Sequence, residues 1–282
     1  MEDSKKVRYG TGIIGGFGIT AYEQLPHIRE AGFESFFSGW SRDKKGEPQH
    51  LAELGAKLGL FYETVHAPFS KMNSIWVDGL EGDGYCDMLL DCIDDAAEAR
   101  VGIVVTHVTV ASVAPPPSEI GLTRFRALAE HAAARGVKLA LENLEIPEHL
   151  EFLFKKLEEY ENVGFCWDTG HNLCYTPEID MMKLYGDRLL CLHINDNKGI
   201  TTPGVITWHD DSHLMPFDGY VDWQGVADRL DSVGWSGIMN QELSRGKDHC
   251  EKLEKYAAMN FREFLDESLA RLRRISGLRR DV

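Results

Sequence analysis

The chain has 282 residues, 43% of them apolar and 27% charged, a balance typical of soluble globular proteins and far from disordered or fibrous compositions. Its formal net charge of −15 opposes nucleic acid and anionic membranes, both of which need a positive footprint, while leaving a small charged substrate open if a metal supplies local positive charge. Six cysteines without a C-x-x-C pair are too sparse for a disulfide scaffold and read as reduced, packed thiols.

In chain order, short β-rich apolar runs alternate with longer amphipathic segments. Strands are predicted over 9–17, 33–40, 60–66, 101–109, 137–143, 163–168, 189–195 and 237–243. A helix follows each, over 21–31, 48–58, 85–99, 118–134, 147–160, 177–185, 223–233 and 248–274. Such alternation predicts parallel strands joined by crossover helices, and eight units close into an α/β (β/α)8 TIM barrel, one domain spanning residues 1–282. Gly32, Gly59, Gly102, Gly136, Gly164 and Gly234 sit near the helix-to-strand turns, where a left-handed cap is wanted. Pro147 and Pro177 suit first helical turns.

Three stretches after strands, 41–47, 68–84 and 197–221, are too long for simple turns and are expected to cover the mouth of the barrel. The Arg-rich segment 271–280 reads as a solvated helix end rather than a binding patch. The N-terminal residues show no apolar signal region and no run is long enough to span a membrane, so a cytoplasmic location is expected. No Gly-rich phosphate-cradling loop stands out in a strand-to-helix context.

The informative feature is where ionisable residues fall. His66, His107, Glu142, Asp168, His193 and Glu242 each end an apolar strand, always on its C-terminal side. A charge at the end of a buried strand costs several kcal/mol unless it is paired or metal-bound, and a shared cation explains the whole ring at once. Glu142, Asp168, His193 and Glu242, on four successive strands, form the expected metal site, whereas His66 or His107 taken alone reads as a hydrogen-bonded core histidine. Carboxylate and imidazole ligands suit a divalent cation, Mn²⁺, Co²⁺, Zn²⁺ or Mg²⁺, without separating them. Cys166 and Cys191 alternate with Asp168 and His193 and are expected to pack deeper in the barrel.

The motifs HAPF (66–69), LENLE (141–145), CWDTGHN (166–172), LHINDNKG (192–199), HLMPFDGYVDW (213–223) and NQEL (240–243) together resemble the xylose-isomerase-like TIM-barrel superfamily. That superfamily includes sugar and sugar-phosphate isomerases and epimerases and also endonuclease IV. The resemblance implies Glu142, Asp168, His193 and Glu242 as metal ligands, with Glu142 and Glu242 also the acid/base pair that moves a proton through an enediolate. It implies substrate contacts by His66, His107, His171 and His213, and, more weakly, by the cationic Lys198. The endonuclease IV branch binds three zinc ions, and its extra ligands correspond to His66, His107, His171, Asp211 and His213. Trp40 and Trp76 offer apolar faces to a sugar ring, or simply pack.

The expected function is therefore a metal-dependent isomerase or epimerase of a small sugar, sugar phosphate or related polyol ketone. Two alternatives stay open: a multinuclear-metal phosphodiesterase like endonuclease IV, and a dehydratase of the inosose or dehydroshikimate type. A barrel that binds sugar without catalysis sits poorly with an intact Glu142/Glu242 pair. No nucleic-acid or membrane partner is expected, and a homo-oligomer is left open.

Overall fold

The structure is a computed structural model that describes residues 7–207, 209–245 and 254–280. Strands β1 (Arg8–Gly12), β2 (Ser35–Gly39), β3 (Phe61–His66), β4 (Ile103–Thr106), β5 (Lys138–Glu142), β6 (Val163–Asp168), β7 (Leu189–His193) and β8 (Ile238–Gln241) pair in the order β7-β6-β5-β4-β3-β2-β1-β8, with each neighbouring pair parallel. Just past the ends of β7 and β8 the sheet meets itself: the Ile194 N–H donates to the Asn240 carbonyl at 2.8 Å, and the Glu242 N–H donates to the Ile194 carbonyl at 3.1 Å. The result is the expected (β/α)8 barrel.

The outer helices are α1 (Ala21–Ala31), α2 (Glu47–Leu58), α3 (Leu80–Glu98), α4 (Glu119–Ala134), α5 (Pro147–Lys156), α6 (Thr169–Tyr175), α7 (Met181–Tyr185), α8 (Trp223–Ser232), α9 (Glu254–Ala257) and α10 (Phe261–Ser276). Local chemistry sets their ends. Thr20 and Glu23 cap α1 reciprocally, and Gly32 ends it at φ 104°, a conformation that costs a side chain dearly. Asn260 and Glu263 make the same box at the start of α10, which breaks the single helix predicted over 248–274; residues 248–253 of that prediction lie outside the described residues.

Period-two alternation sorts the strand residues into two layers. Phe36, Val65, Val104, Leu141, Phe165 and Leu192 face the helices in the main core. Val105, Ala140, Cys166 and Cys191 form a separate, fully buried cluster inside the barrel. Two residues further along the same inward rows stand His107, Glu142, Asp168 and His193. Pleat geometry therefore carries these polar side chains to the C-terminal mouth, and the expected packing role of Cys166 and Cys191 holds. Five of the six cysteines are free and buried; Cys250 lies outside the described residues.

Several predicted boundaries are corrected. The first strand stops at Gly12 rather than residue 17, because Gly16 (φ 86°) and Gly18 (φ 70°) are left-handed and cannot continue an extended ladder. An unforeseen helix, α6, begins directly after β6, while the one predicted over 177–185 shrinks to Met181–Tyr185. Loop 68–84 contains a 3₁₀ turn (Met72–Trp76) and the first turn of α3. Gly102 and Gly164 are not left-handed caps; Arg100 takes that conformation after α3 (φ 59°), and a Cβ on Gly164 would come within 2.5 Å of Leu190 and of the Arg188 carbonyl. In the 271–280 segment Arg273, Arg274 and Arg280 are exposed, as expected of a solvated helix end, while Arg271 is held on Asp218 (2.7 Å) and Arg279 on Asp231 (2.7 Å).

Candidate metal centre

At the mouth a cavity of about 910 Å³ opens over the strand ends. His66, His107, His171, Asp211, His213 and Glu242 are among the residues that line it. Glu142, Asp168 and His193 lie beneath, with no exposed surface. One ligand atom from each of Glu142, Asp168, His193 and Glu242 falls within 4.8 Å of the others, close enough for a single ion.

Glu142 is the hub. Its Oε2 lies 3.2 Å from His66 Nε2 and 3.3 Å from His107 Nε2, and its Oε1 lies 2.7 Å from His193 Nδ1. His193 Nδ1 also stands 3.2 Å from Glu242 Oε2. Burial works to raise both carboxyls, but the His193 charge and the imidazole hydrogen bonds outweigh it, holding Glu142 well below the usual carboxylate range and taking Glu242 down to about 2. Burial pushes Asp168 up to about 6 despite His171 and His213 nearby, and pushes His107 below the ordinary imidazole value.

Asp168 has a second role that explains the abrupt start of α6. Its Oδ1 accepts the His171 N–H at 2.7 Å as the helix N-cap, and its Oδ2 accepts from Asn195 Nδ2 at 2.7 Å. The Asn143 side chain ties the Asp168 backbone at both its N–H (2.8 Å) and its carbonyl (2.9 Å). The carboxylate is thus aimed by the strand, the helix cap and two amides. The turn leaves no room at Gly170, where a Cβ would sit 1.8 Å from Asn195 Oδ1.

A second group adjoins the first, with His171 3.8 Å from Glu142 and His213 3.7 Å from Glu242. Asp211 Oδ2 lies 2.9 Å from His213 Nε2 and 3.5 Å from His171 Nε2. His213 is held at φ 43°, a sparsely populated region, by hydrogen bonds between Asp196 and its neighbour Leu214 and by the Ser244 N–H on its own carbonyl at 3.1 Å. His66/His107/Glu142 and His171/Asp211/His213 are each compact enough to hold an ion.

The donor chemistry fits cations. His66, His171 and His213 each place Nδ1 on a backbone carbonyl, of Ala67 at 2.7 Å, Asn143 at 3.1 Å and Glu242 at 3.1 Å. A neutral ring donating through Nδ1–H can present only a lone pair at Nε2, and in all three that atom faces a carboxylate oxygen. Two acceptors facing each other need a proton or a cation between them. Carbonyl-anchored imidazoles are also the usual way a metal-ligating histidine is oriented.

The remaining sequence expectations divide. Trp40 is in the core, its Nε1–H donating to buried Asp95 at 2.7 Å, and does not line the cavity; Trp76 is likewise buried, donating to the Val108 carbonyl at 2.8 Å. Packing wins for both because each indole satisfies its N–H inside the core. Lys198 stands with its ammonium 5.7 Å from the Tyr220 ring, outside the cavity lining. Sequence reasoning missed Phe37, Phe69, Glu145, Tyr175 and Arg245, which line the cavity, and Glu63 beneath it. Glu145 closes the LENLE motif and Arg245 lies three residues past Glu242, so proximity to a candidate ligand was a usable signal for both. Glu63, whose carboxyl accepts from Asn240 Nδ2 at 2.7 Å, is pushed up to about 8 by burial.

A family model described as xylose isomerase-like TIM barrel matches residues 25–273. The protein y4fM of Sinorhizobium fredii, itself described as uncharacterized, is 26% identical over 257 residues, covering 77% of this chain and 79% of the relative. Among solved structures, D-psicose 3-epimerase with D-tagatose from Clostridium cellulolyticum H10 superposes with a TM-score of 0.71 at 16% identity, covering 95% of this chain and 98% of that one. The 3-keto-D-glucoside 4-epimerase YcjR from E. coli superposes with a TM-score of 0.68 at 16% identity, covering 95% of this chain and 100% of that one. At these identities the likeness is one of fold. No helix among the described residues is long and apolar enough to cross a membrane.

Proposed function

The chain belongs to the xylose isomerase-like TIM barrel family, and from that premise we propose that it is a metal-dependent isomerase or epimerase of a small polyhydroxylated ketone or aldehyde. The observation that carries the proposal is the set Glu142, Asp168, His193 and Glu242, four ligand atoms within 4.8 Å of one another at the floor of a cavity of about 910 Å³, a size suited to a sugar. When bound, a divalent cation there supplies Lewis acidity that polarises adjacent substrate oxygens and acidifies the C–H between them. The chain's own groups do the rest. Glu242, its side chain 24% exposed toward the cavity, takes the proton from carbon; Glu142, across the site on β5, is the partner carboxylate of the pair. His171 and His213 hold substrate oxygens, and the whole chain acts as one catalytic domain.

Solvent deuterium incorporation into a panel of ketoses, ketose phosphates and inososes tests the reading. Label at a carbon flanked by two oxygens is expected for one member of the panel, and metal-loaded protein that labels none of them overturns it.

One observation favours a second reading, a multinuclear-metal phosphodiesterase. Both Glu142 oxygens are occupied by imidazoles, and His171, Asp211 and His213 form a further ion-sized group, so nine side chains fit a larger cluster as well as one ion. In that reading Glu142 with His66 and His107, and His171 with Asp211 and His213, would hold further cations, which would supply Lewis acidity and an activated water for phosphoester hydrolysis. Metal analysis of protein purified without chelator separates the two: about one equivalent accords with proton transfer, whereas two or three tightly held zinc ions point to hydrolysis.

A further inference from the structure

Among the described residues, the end of the cavity formed after β1 and β8 contains no candidate metal ligand except Glu242 at its edge, yet it is built from unusual parts. Because β1 ends at Gly12, residues 13–19 form a βα loop at the mouth, and Gly15 and Gly16 of that loop line the cavity. The loop is braced from behind: Gln24 accepts the Ile14 N–H at 2.9 Å and donates to its carbonyl at 2.8 Å. Among the described residues the Gly15 and Gly16 N–H groups donate to nothing, and both residues are exposed.

Facing them is Arg245, the one arginine in the cavity lining. Its Nη1–H donates to the Gly16 carbonyl, its Nη2–H donates to the carbonyls of Ala257 (2.9 Å) and Met259 (3.3 Å), and its guanidinium lies 4.2 Å from the centre of the Phe17 ring. These contacts fix the planar fork without neutralising it, since among the described residues its hydrogen-bond partners are backbone carbonyls and none is a carboxylate. Its Nε–H is buried with no acceptor among the described residues, an arrangement that is costly unless something supplies one. A fixed guanidinium beside two free backbone amides is the donor pattern that recognises a tetrahedral or planar oxyanion.

We propose that Arg245, with the Gly15 and Gly16 amides, binds a terminal anionic group of the substrate, a phosphate monoester or a carboxylate. The assignment rests on the proposed proton-transfer function and narrows its substrate to an acidic or phosphorylated sugar. Arg245 lies three positions after Glu242, so their Cα atoms are at most about 11 Å apart, and the anion lies within reach of a five- or six-carbon chain whose reacting carbon sits at Glu242. Among the described residues of the cavity lining, Arg245 is the one permanent cation.

Orthophosphate is the probe. Titrated into metal-loaded wild-type protein, it should shift the Gly15 and Gly16 amide resonances, and static Gly15 and Gly16 signals at saturating phosphate overturn the proposal. Arg245→Gln should weaken phosphate binding by roughly 10- to 100-fold, the loss expected for hydrogen bonds to a charged group, with Arg245→Lys recovering part of it; equal affinity in Arg245→Gln also overturns it. Deuterium exchange on a neutral ketohexose, its 6-phosphate and its 6-carboxylate then distinguishes the two anions, through a KM that rises with Arg245→Gln only for the charged member. Phosphate binding through Arg245 with no exchange on any substrate would retain the anion site while removing the proton-transfer reading.

Discussion

Glu142 and Glu242 end strands on opposite sides of the same barrel and carry the same functional group, yet their surroundings differ. Glu142 has no exposed surface and both its oxygens face imidazoles, whereas Glu242 is reached from the cavity and meets His193 and, more distantly, His213 at 3.7 Å. Burial works to raise both carboxyls, and both are nonetheless kept ionised by neighbouring imidazoles. The comparison teaches that ionisation alone does not make a base. A carboxylate whose lone pairs are all engaged serves first as a ligand, while one with an open approach can move a proton.

The largest expected effect breaks the pair on its open side. Glu242→Gln should reduce solvent deuterium exchange by roughly 10²- to 10⁴-fold, the usual worth of a positioned acid or base, while the thermal midpoint stays near that of wild type. Full exchange in the variant removes Glu242 as the base. Chelation is predicted to abolish activity, with Mn²⁺ or Co²⁺ restoring it; turnover indifferent to chelator contradicts the assigned centre.

Breaking the closed side should instead show in stability. Glu142→Ala leaves His66, His107 and His193 buried without their common acceptor and is expected to cost about 3–5 kcal/mol in urea unfolding, together with metal affinity. A variant as stable as wild type contradicts the hub role. Trp40→Phe is a smaller change at a residue the structure moves from pocket to core: losing the hydrogen bond to Asp95 should cost about 1–3 kcal/mol with KM unchanged.

The last effect depends on pH and is absent near pH 4; it concerns Glu63, deep in the barrel. A carboxyl raised to about 8 is still protonated in the folded state between the ordinary Glu pKa and 8, whereas the unfolded chain has already lost the proton, so stability falls as pH rises through that window. Glu63→Gln should match wild type near pH 4 and become the more stable of the two toward pH 8, by a few kcal/mol at most, about 1.4 per pH unit. Parallel urea midpoints for the two proteins at all pH values contradict a protonated Glu63.

The order of the strands, the eight-unit barrel and the inward-facing row of polar residues at its mouth were legible from the chain alone. Parallel strands buried on both faces read as apolar runs, and a polar residue that breaks such a run at its C-terminal end is visible without coordinates. Glu142, Asp168, His193 and Glu242 announced themselves in this way. The strand ends and loops were less legible. Gly15 and Gly16 passed as strand because apolar Ile13, Ile14 and Phe17 surround them, and only the left-handed turn at Gly16 reveals a loop. Trp40 passed as a ring platform because its acceptor, Asp95, lies 55 residues away on α3. Arg245 stayed silent for the same reason, its meaning resting on carbonyls from the β1 loop and from residues 257 and 259.

What the sequence determined by itself is therefore the part governed by local periodicity: the barrel, and which residues the pleat turns inward at its mouth. What only the tertiary structure decided is which of those residues share a partner, which stay open to the cavity, and which distant side chains join them. Those depend on contacts between segments far apart in the chain, where hydrogen-bond geometry and burial, rather than spacing, set the chemistry.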